Sequence, residues 1–478
     1  MDKLIGIKPE SVFRYFEEIC AVPRGSGNRD GICQYCLKTA EKLGLLAKSD
    51  AEKNVVIYKP ASAGYDDAEP VILQGHTDMV CQKAEGLSFD FEKDGVRPYI
   101  DGDWVRAEGT TLGADNGIAM AMIFAILEDN TLAHPPIEAL FTADEEIGLL
   151  GAAGLDGSWF SGKRLINLDS EDADTITVSC AGGSEVTFAL PSEKTAASGR
   201  VLTLAVRGLQ GGHSGVEIDK GRVNANLLVG RILNHIKTPF SLVSVTGGDK
   251  GNAIPYASTA VLVTADVEAL RKETEAYWAI VHKELTEREP DAELVLTQGE
   301  IGEQEAMTAS TQEKLIFILT CAPNGIMEMS KSIDGLVETS LNLGVLNTTD
   351  TAVNMTFALR SNKQSALDAL EERVRLFGKM TGCVTDAMGH YPPWEYRSES
   401  ALRTTTAEVY AEQYGKAPKI EAIHAGLECG VLAAKIDGLD CISIGPDLRD
   451  VHTVGERLSI PSTAETYRLL TTLLKRLK

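Results

Sequence analysis

Residues 71–80 read VILQGHTDMV. Val71 to Gln74 make a short apolar run closed by a glycine, too short for a helix, and this predicts a buried strand. Directly after it come His76 and Asp78. Three other runs are built the same way. Ile137 to Thr142 leads into ADEE, Leu165 to Leu168 into DSED, and Cys441 to Ile444, a few residues on, into DVH. Each short strand therefore delivers ionisable side chains at its carboxyl end, the edge of an open α/β sheet at which ligands bind.

Outward from these runs, the first 180 residues alternate helical patterns with short apolar strands, which predicts an α/β domain with a mostly parallel central sheet flanked by helices. Pro9 suits a first helical turn, and Val12, Phe13, Phe16, Ile19 and Cys20 then recur on one face. The strand near residue 441 lies so far from the others that a large segment must be inserted into the sheet domain. Gly182 and Gly183, and Pro392 and Pro393, mark the exit and re-entry. The expected organisation is one split domain, residues 1–184 and 391–478, around an inserted α+β domain, residues 185–390. The insert has its own strands, VLTLAVRG (201–208) and MTFALRS (355–361). Its helices carry Val223, Leu227, Leu228, Ile232, Leu233 and Ile236, and span Ala366 to Phe377. An antiparallel sheet is expected there.

Composition narrows the function classes. With 69 acidic against 46 basic residues the formal charge is -23, which repels phosphate backbones and anionic membranes, so neither nucleic acid nor a membrane surface is expected as a partner. No run reaches the ~20 apolar residues that span a bilayer. The opening residues MDKLIGIKPESVFRYFEEIC lack the apolar core of a signal peptide, and the nine cysteines form no framework spacing. A cytoplasmic protein with free thiols is expected. Cys33 and Cys36 sit on a helical pattern and read as packing residues.

The ionisable groups at the strand ends form a coherent set. His76 and Asp78 alternate on an extended segment, so both can face one side, which suits a metal-binding imidazole and the carboxylate that orients it. Alone, H-x-D is a turn beside a strand. Asp115 lies in GTTLGADNGIAMAM (109–122), where glycines let backbone approach an ion and a carboxylate can bridge two cations; alone, it is a helix cap. Glu145 and Glu146 are adjacent, so one can bind metal while the other stays free as a general base. Asp169 and His452 supply two further ligands. His134, His235, His282 and His390 are assigned structural or surface roles. Two Zn²⁺ (+4) against Asp115, Glu146 and Asp169 (-3) leave +1, which one hydroxide neutralises. Five ligands with one bridging leave open coordination positions, as a catalytic site requires.

In order and type, GHTDMV, GTTLGADNGIAMAM, TADEEIGLLGA, INLDSED, GGHSG and GPDLRDVHTVGERL resemble the M20 zinc peptidases, and within them the aminoacyl-histidine (Xaa-His, carnosinase-like) dipeptidases. The resemblance covers nearly the whole chain. It implies a catalytic domain carrying a lid domain. One zinc falls on His76 and Asp169, the other on Glu146 and His452, with Asp115 across both. Glu145 becomes the general base and Asp78 stands behind His76. A cis peptide is implied between Asp115 and Asn116. His213 of GGHSG would help stabilise the oxyanion, and Asn252 and Arg360 would hold the substrate, Arg360 by gripping a terminal carboxylate. Tripeptidases of the family tend to carry an acid where this chain has Asn116, which favours the dipeptidase branch.

The implied activity is a cytosolic dinuclear-zinc dipeptidase acting on Xaa-His and other dipeptides, with Mn²⁺ or Co²⁺ as substitute metals. Small dipeptides are the expected partners. Monomer and homodimer both stay open, since His213 could act within its own chain or across an interface. A competing enzymatic reading is an N-acyl amino-acid deacylase. A non-catalytic metal-binding protein would lack a ligand or base, and none is missing.

Overall fold

The run at residues 71–76 is buried along its whole length, as a strand covered on both faces must be. The computed structural model describes residues 4–478, and in it this run is strand β1 (Val71–His76). It pairs in parallel with β2 (Ile137–Thr142) on one side and β3 (Arg164–Asn167) on the other, and β3 pairs in parallel with β4 (Asp440–Ser443). The four strands read from the sequence are thus four consecutive neighbours, β2-β1-β3-β4, inside one eight-stranded sheet. His76 registers with Thr142, Gln74 with Asn167, and Ser443 with Asn167. All four carboxyl ends therefore open on the same sheet edge.

Around the parallel centre the sheet is mixed. Val55–Lys59 runs antiparallel to β2, and Thr175–Cys180 antiparallel to β4. Helix α1 (Glu10–Cys20) buries Val12, Phe13, Phe16, Ile19 and Cys20, the set that its spacing selects. It packs on α2 (Ala114–Glu128), which is buried on every side from Gly117 to Leu127 and is regular only after two non-helical residues, Asp115 and Asn116. This apolar run is therefore a core helix. Its carboxyl end is capped by the buried Lys59 ammonium, which donates to the carbonyls of Ile126, Leu127 and Asp129 at 2.9, 3.0 and 2.7 Å.

The chain divides into two compact units. The first runs to Cys180 and resumes with Tyr396–Ala422 and Leu427–Lys478; the second is Ala181–Glu395 together with the short segment Ile423–Gly426. The second unit is built on a nine-stranded sheet whose pairings are antiparallel. Leu202, Leu204 and Val206 of Lys194–Arg207 share one core with Val229, Ile232 and Leu233 of the helix Ala225–His235 and with Leu367, Leu370 and Val374 of the helix Gln364–Met380. A side chain at Gly182 would collide with the nitrogen of Pro393, so the exit glycine and the re-entry proline are packed against each other. All nine cysteines are free thiols, and among the described residues no helix is long and apolar enough to cross a membrane.

Candidate metal centre

Asp115 lies between two imidazoles. Its Oδ1 is 3.0 Å from His76 Nε2 and its Oδ2 is 3.0 Å from His452 Nε2. His76 Nε2 also faces Asp169 Oδ1 at 3.6 Å, and His452 Nε2 faces a Glu146 oxygen at 3.1 Å. Donor atoms of His76, Asp115 and Glu146 all fall within 4.8 Å of one another. Ligand atoms sharing a tetrahedral zinc at ~2.0–2.1 Å stand about 3.3 Å apart, so these pairwise separations of 3.0 to 3.6 Å suit donors gathered around a cation. The donor set also fits, since two imidazoles and three carboxylates suit zinc and related divalent ions. All five expected ligands are at the β1–β4 edge.

The supports of this cluster are local and specific. The Asp78 carboxylate lies 3.4 Å from His76 Nδ1, and the Asp78 carbonyl is nearer still, at 3.1 Å. Asp78 Oδ1 accepts the amide hydrogen of Glu145 at 2.9 Å, while Oδ2 accepts from Glu146 N at 3.3 Å and Ser26 Oγ at 2.7 Å. The same acid thus lies beside the imidazole and pins the turn that carries the two glutamates. Asp144, just before that turn, has φ 53° and is held by Gly27 N and an ion pair with Arg29, each at 2.7 Å. His452 has φ 63°. Non-glycine residues in this left-handed region are uncommon and gather at functional sites. The peptide between Asp115 and Asn116 is cis. Asn116 accepts from His76 N at 3.1 Å and donates to Leu168 O at 2.9 Å, tying the ends of β1 and β3 together.

The electrostatics of the polypeptide alone are those of an acidic cluster needing positive charge. Burial by itself would lower the pKa of His76, but Asp169, Asp115 and Asp78 outweigh it and raise it well above its usual value. Hydrogen bonds to Asp115 and Glu146 push His452 up to about 11. Burial would raise Asp115, yet the two histidines hold it low; Asp78 is likewise held at about 2 by His76, Ser26 and the Glu145 amide against the effect of burial. Burial, with Glu428, Glu146 and Asp115, pushes Glu145 up to about 8 despite His76. A carboxyl poised near neutrality is suited to exchange protons.

Four buried polar residues that the strand patterns did not single out lie behind the ligands. Gln74 Nε2 and Thr142 Oγ1 each donate to Glu428 Oε2 at 2.6 Å, and Asn167 Nδ2 donates to Gln74 Oε1 at 2.6 Å. Gln74 and Asn167 precede His76 and Asp169 by two residues, so strand alternation puts them on the same face as those ligands. Burial pushes Glu428 up to about 7, opposed by His76 and Thr142. The sequence signal was available: Gln and Asn are out of place in strands that are otherwise apolar.

The other expected residues lie in the second unit. His213 pairs with Ala253 in a two-stranded ribbon, and Ser214 N donates to Asn252 O at 2.8 Å, so His213 and Asn252 are neighbours. His213 Nδ1 accepts from Gly215 N and Val216 N at 3.1 Å each. That leaves the proton on Nε2. Burial and Arg360 lower its pKa, keeping the ring neutral. Arg360 is buried and donates to Tyr391 Oη at 2.9 Å. His424, which no sequence pattern marks, is buried between Ser340 Oγ at 2.7 Å and Asn362 Oδ1 at 3.1 Å; burial, Arg360 and His213 bring it down to about 3. The remaining histidines make local contacts: His134 faces Pro135 O at 2.7 Å, His235 stacks on Tyr277, His282 lies beside Trp278, and the exposed His390 faces Glu371.

The chain matches the profile of peptidase family M20/M25/M40 over residues 72–476. It belongs to that family. The cytosol non-specific dipeptidase of Escherichia coli K12 is 39% identical to it over 99% of both chains. The crystal structure of aminoacylhistidine dipeptidase from Vibrio alginolyticus superposes with a TM-score of 0.90 at 34% identity, covering 99% of this chain and 98% of the other. A tripeptidase from Staphylococcus aureus shares the fold at 14% identity, with a TM-score of 0.58 and coverage of 98% and 99%. The chain is thus a hydrolase of the peptide-bond class with the M20 peptidase fold, a family typically dependent on two metal ions.

Proposed function

We propose that this protein is a cytoplasmic dinuclear-zinc dipeptidase. The observation that carries the reading is the placement of the two Asp115 oxygens, each 3.0 Å from a different imidazole, as a carboxylate bridging two cations requires. His76 and Asp169 would hold one ion, Glu146 and His452 the other. When bound, a pair of divalent ions supplies Lewis acidity, bringing the pKa of a water near ~7 and polarising a carbonyl.

The chain's own groups account for the proton movements. Glu145 stays outside the ligand set and takes the proton of the attacking water, then delivers it to the leaving amine. Asp78 fixes the position from which it acts, through the Glu145 amide. His213, neutral with its hydrogen on Nε2, donates to the carbonyl oxygen as negative charge develops there. Arg360 takes the carboxylate terminus of the peptide, oriented by Tyr391, and Asn252 completes the substrate contacts. We assign the split domain, residues 1–184 and 391–478, to catalysis, and residues 185–390 to the lid. Names of the similar proteins support small peptides, Xaa-His among them, as substrates.

The test is a substrate panel on chelated protein reconstituted with zinc. β-Alanyl-histidine and other dipeptides should be hydrolysed only after reconstitution, and N-acetyl amino acids poorly. Preference for the N-acetyl compounds would make the enzyme a deacylase instead.

A further inference from the structure

The loop bearing Asp115 is held from two sides by buried charges that belong to neither the ligand set nor the proton path. Glu456 is 2% exposed. Its Oε2 accepts the amide hydrogens of Leu112 and Gly113 at 2.8 and 3.0 Å, and its Oε1 those of Ala114 and Asp115 at 2.8 and 3.3 Å. Four consecutive backbone donors therefore converge on one carboxylate. Helix α2 has no side-chain cap of its own, with Gly113 at its N-cap in the left-handed region at φ 68°, and Glu456 takes that place from 341 residues away in sequence.

The origin of this carboxylate matters more than the capping. Glu456 sits at the base of a hairpin, Leu448–Arg449 paired with Arg457–Ser459, whose tip carries His452. Through Glu456, the segment supplying one imidazole grips the loop supplying the bridging acid. Arg24, also 2% exposed, does the equivalent on the other side. Its Nη1 donates to the carbonyls of Thr77 and Asp78 at 3.0 Å each, and its Nη2 to that of Gly113, so it joins the His76 segment to the same loop. Side chains at Gly113 or Gly117 would stand 2.5 or 2.6 Å from Arg24 Nη2, so both glycines make room for the guanidinium.

We infer that Glu456 is a positioning residue for the metal pair, fixing Asp115 relative to His452 and thereby governing the ion held by Asp115, Glu146 and His452, while Arg24 fixes Asp115 relative to His76. The inference rests on the dinuclear reading above. A helix cap alone would stabilise the fold without favouring one ion over the other. Positioning of one bridging oxygen would separate the two binding steps.

The experiment is an equilibrium zinc titration of chelated wild type, Glu456→Gln and Glu456→Asp, with thermal denaturation alongside. Glutamine keeps one acceptor oxygen but opposes two amide hydrogens with its own amide group. Wild type should bind two equivalents. Glu456→Gln should bind one with near wild-type affinity and the second about 10–100-fold more weakly, the range typical of residues that orient ligands; aspartate should give a smaller loss of the same step. A folded Glu456→Gln protein that binds both ions as wild type does, or loses both equally, overturns the inference. Wild type that fails to bind two ions overturns the dinuclear reading instead. Hydrogen exchange on chelated wild type needs no variant: the amides of Leu112, Gly113, Ala114 and Asp115 should be strongly protected before zinc is added. Exchange as fast as in an open loop would also overturn the inference.

Discussion

Asp78 and Glu145 are joined through a main-chain hydrogen bond, Asp78 Oδ1 accepting the Glu145 amide hydrogen at 2.9 Å, while the same carboxylate lies 3.4 Å from His76 Nδ1. A single side chain thus couples a metal-ligand candidate to the candidate base. Replacing Asp78 by Asn puts an amide group where the turn presents N–H donors. Zinc affinity should fall about 10–100-fold, read by chelator competition, with kcat falling as well because Glu145 loses its anchor. Unchanged affinity and kcat would mean that the carboxylate is dispensable to both.

Metal-free protein should lose stability as pH rises. Glu145, near 8 in the folded chain, and His452, near 11, are both raised above their ordinary values. Their contribution is fully present below the unfolded pKa, ~4.3 for Glu and ~6.5 for His, and is lost as pH climbs through the folded values. Asp78, lowered to about 2, acts oppositely; its contribution is present above the unfolded ~3.9 and lost as pH falls through the folded value. Melting temperatures of chelated protein should therefore peak on the acidic side of neutrality and decline from pH 7 to 9. Zinc should abolish that decline. A chelated protein with a flat profile over this range contradicts the charge balance of the site.

Gly75 has no room for a side chain, since a Cβ would stand 2.5 Å from Asn116 Oδ1 and 2.7 Å from the Ala119 Cβ. Gly75→Ala must displace the asparagine that ties β1 to β3. A loss of ~1–3 kcal/mol is expected from overpacking, measurable by urea denaturation. An unchanged midpoint would show that the strand end has slack.

How much of this was legible in the sequence depends on where each partner lies. The four strands were readable because each is an unbroken apolar run ending in charge, and Val71, Ile137, Leu165 and Cys441 all fall inside neighbouring strands of one sheet. Glu146 stands out for the same reason, whereas Asp115 stands out through the glycines around it ahead of an apolar helix. Glu456 stands in the quoted motif GPDLRDVHTVGERL but had no visible task, because its partners are backbone amides more than three hundred residues away. Arg24 and Asp144 were hidden in the same way: carbonyls, a backbone amide and a left-handed backbone leave no periodic trace. The short segment Ile423–Gly426, which joins the second unit, and with it His424, could not be separated by pattern from the helix that follows.

Arg360 is buried, and its guanidinium donates to the Tyr391 hydroxyl at 2.9 Å. Arg360→Ala should raise KM for dipeptides about 10–100-fold, in keeping with ~1.5–3 kcal/mol for a hydrogen bond to a charged group, and leave the zinc content unchanged. Amidating the carboxyl terminus of the substrate should cost wild type a similar factor and the variant little. An additive loss would assign the terminal carboxylate to another residue.

In the proposed mechanism Glu145 bears the chemistry, and Glu145→Gln tests that role most directly when zinc stoichiometry and kcat are measured on the same sample. Two bound zinc ions with kcat reduced about 10²–10⁴-fold, the range of general-base catalysis, is the expected result. Two ions with wild-type turnover would contradict it.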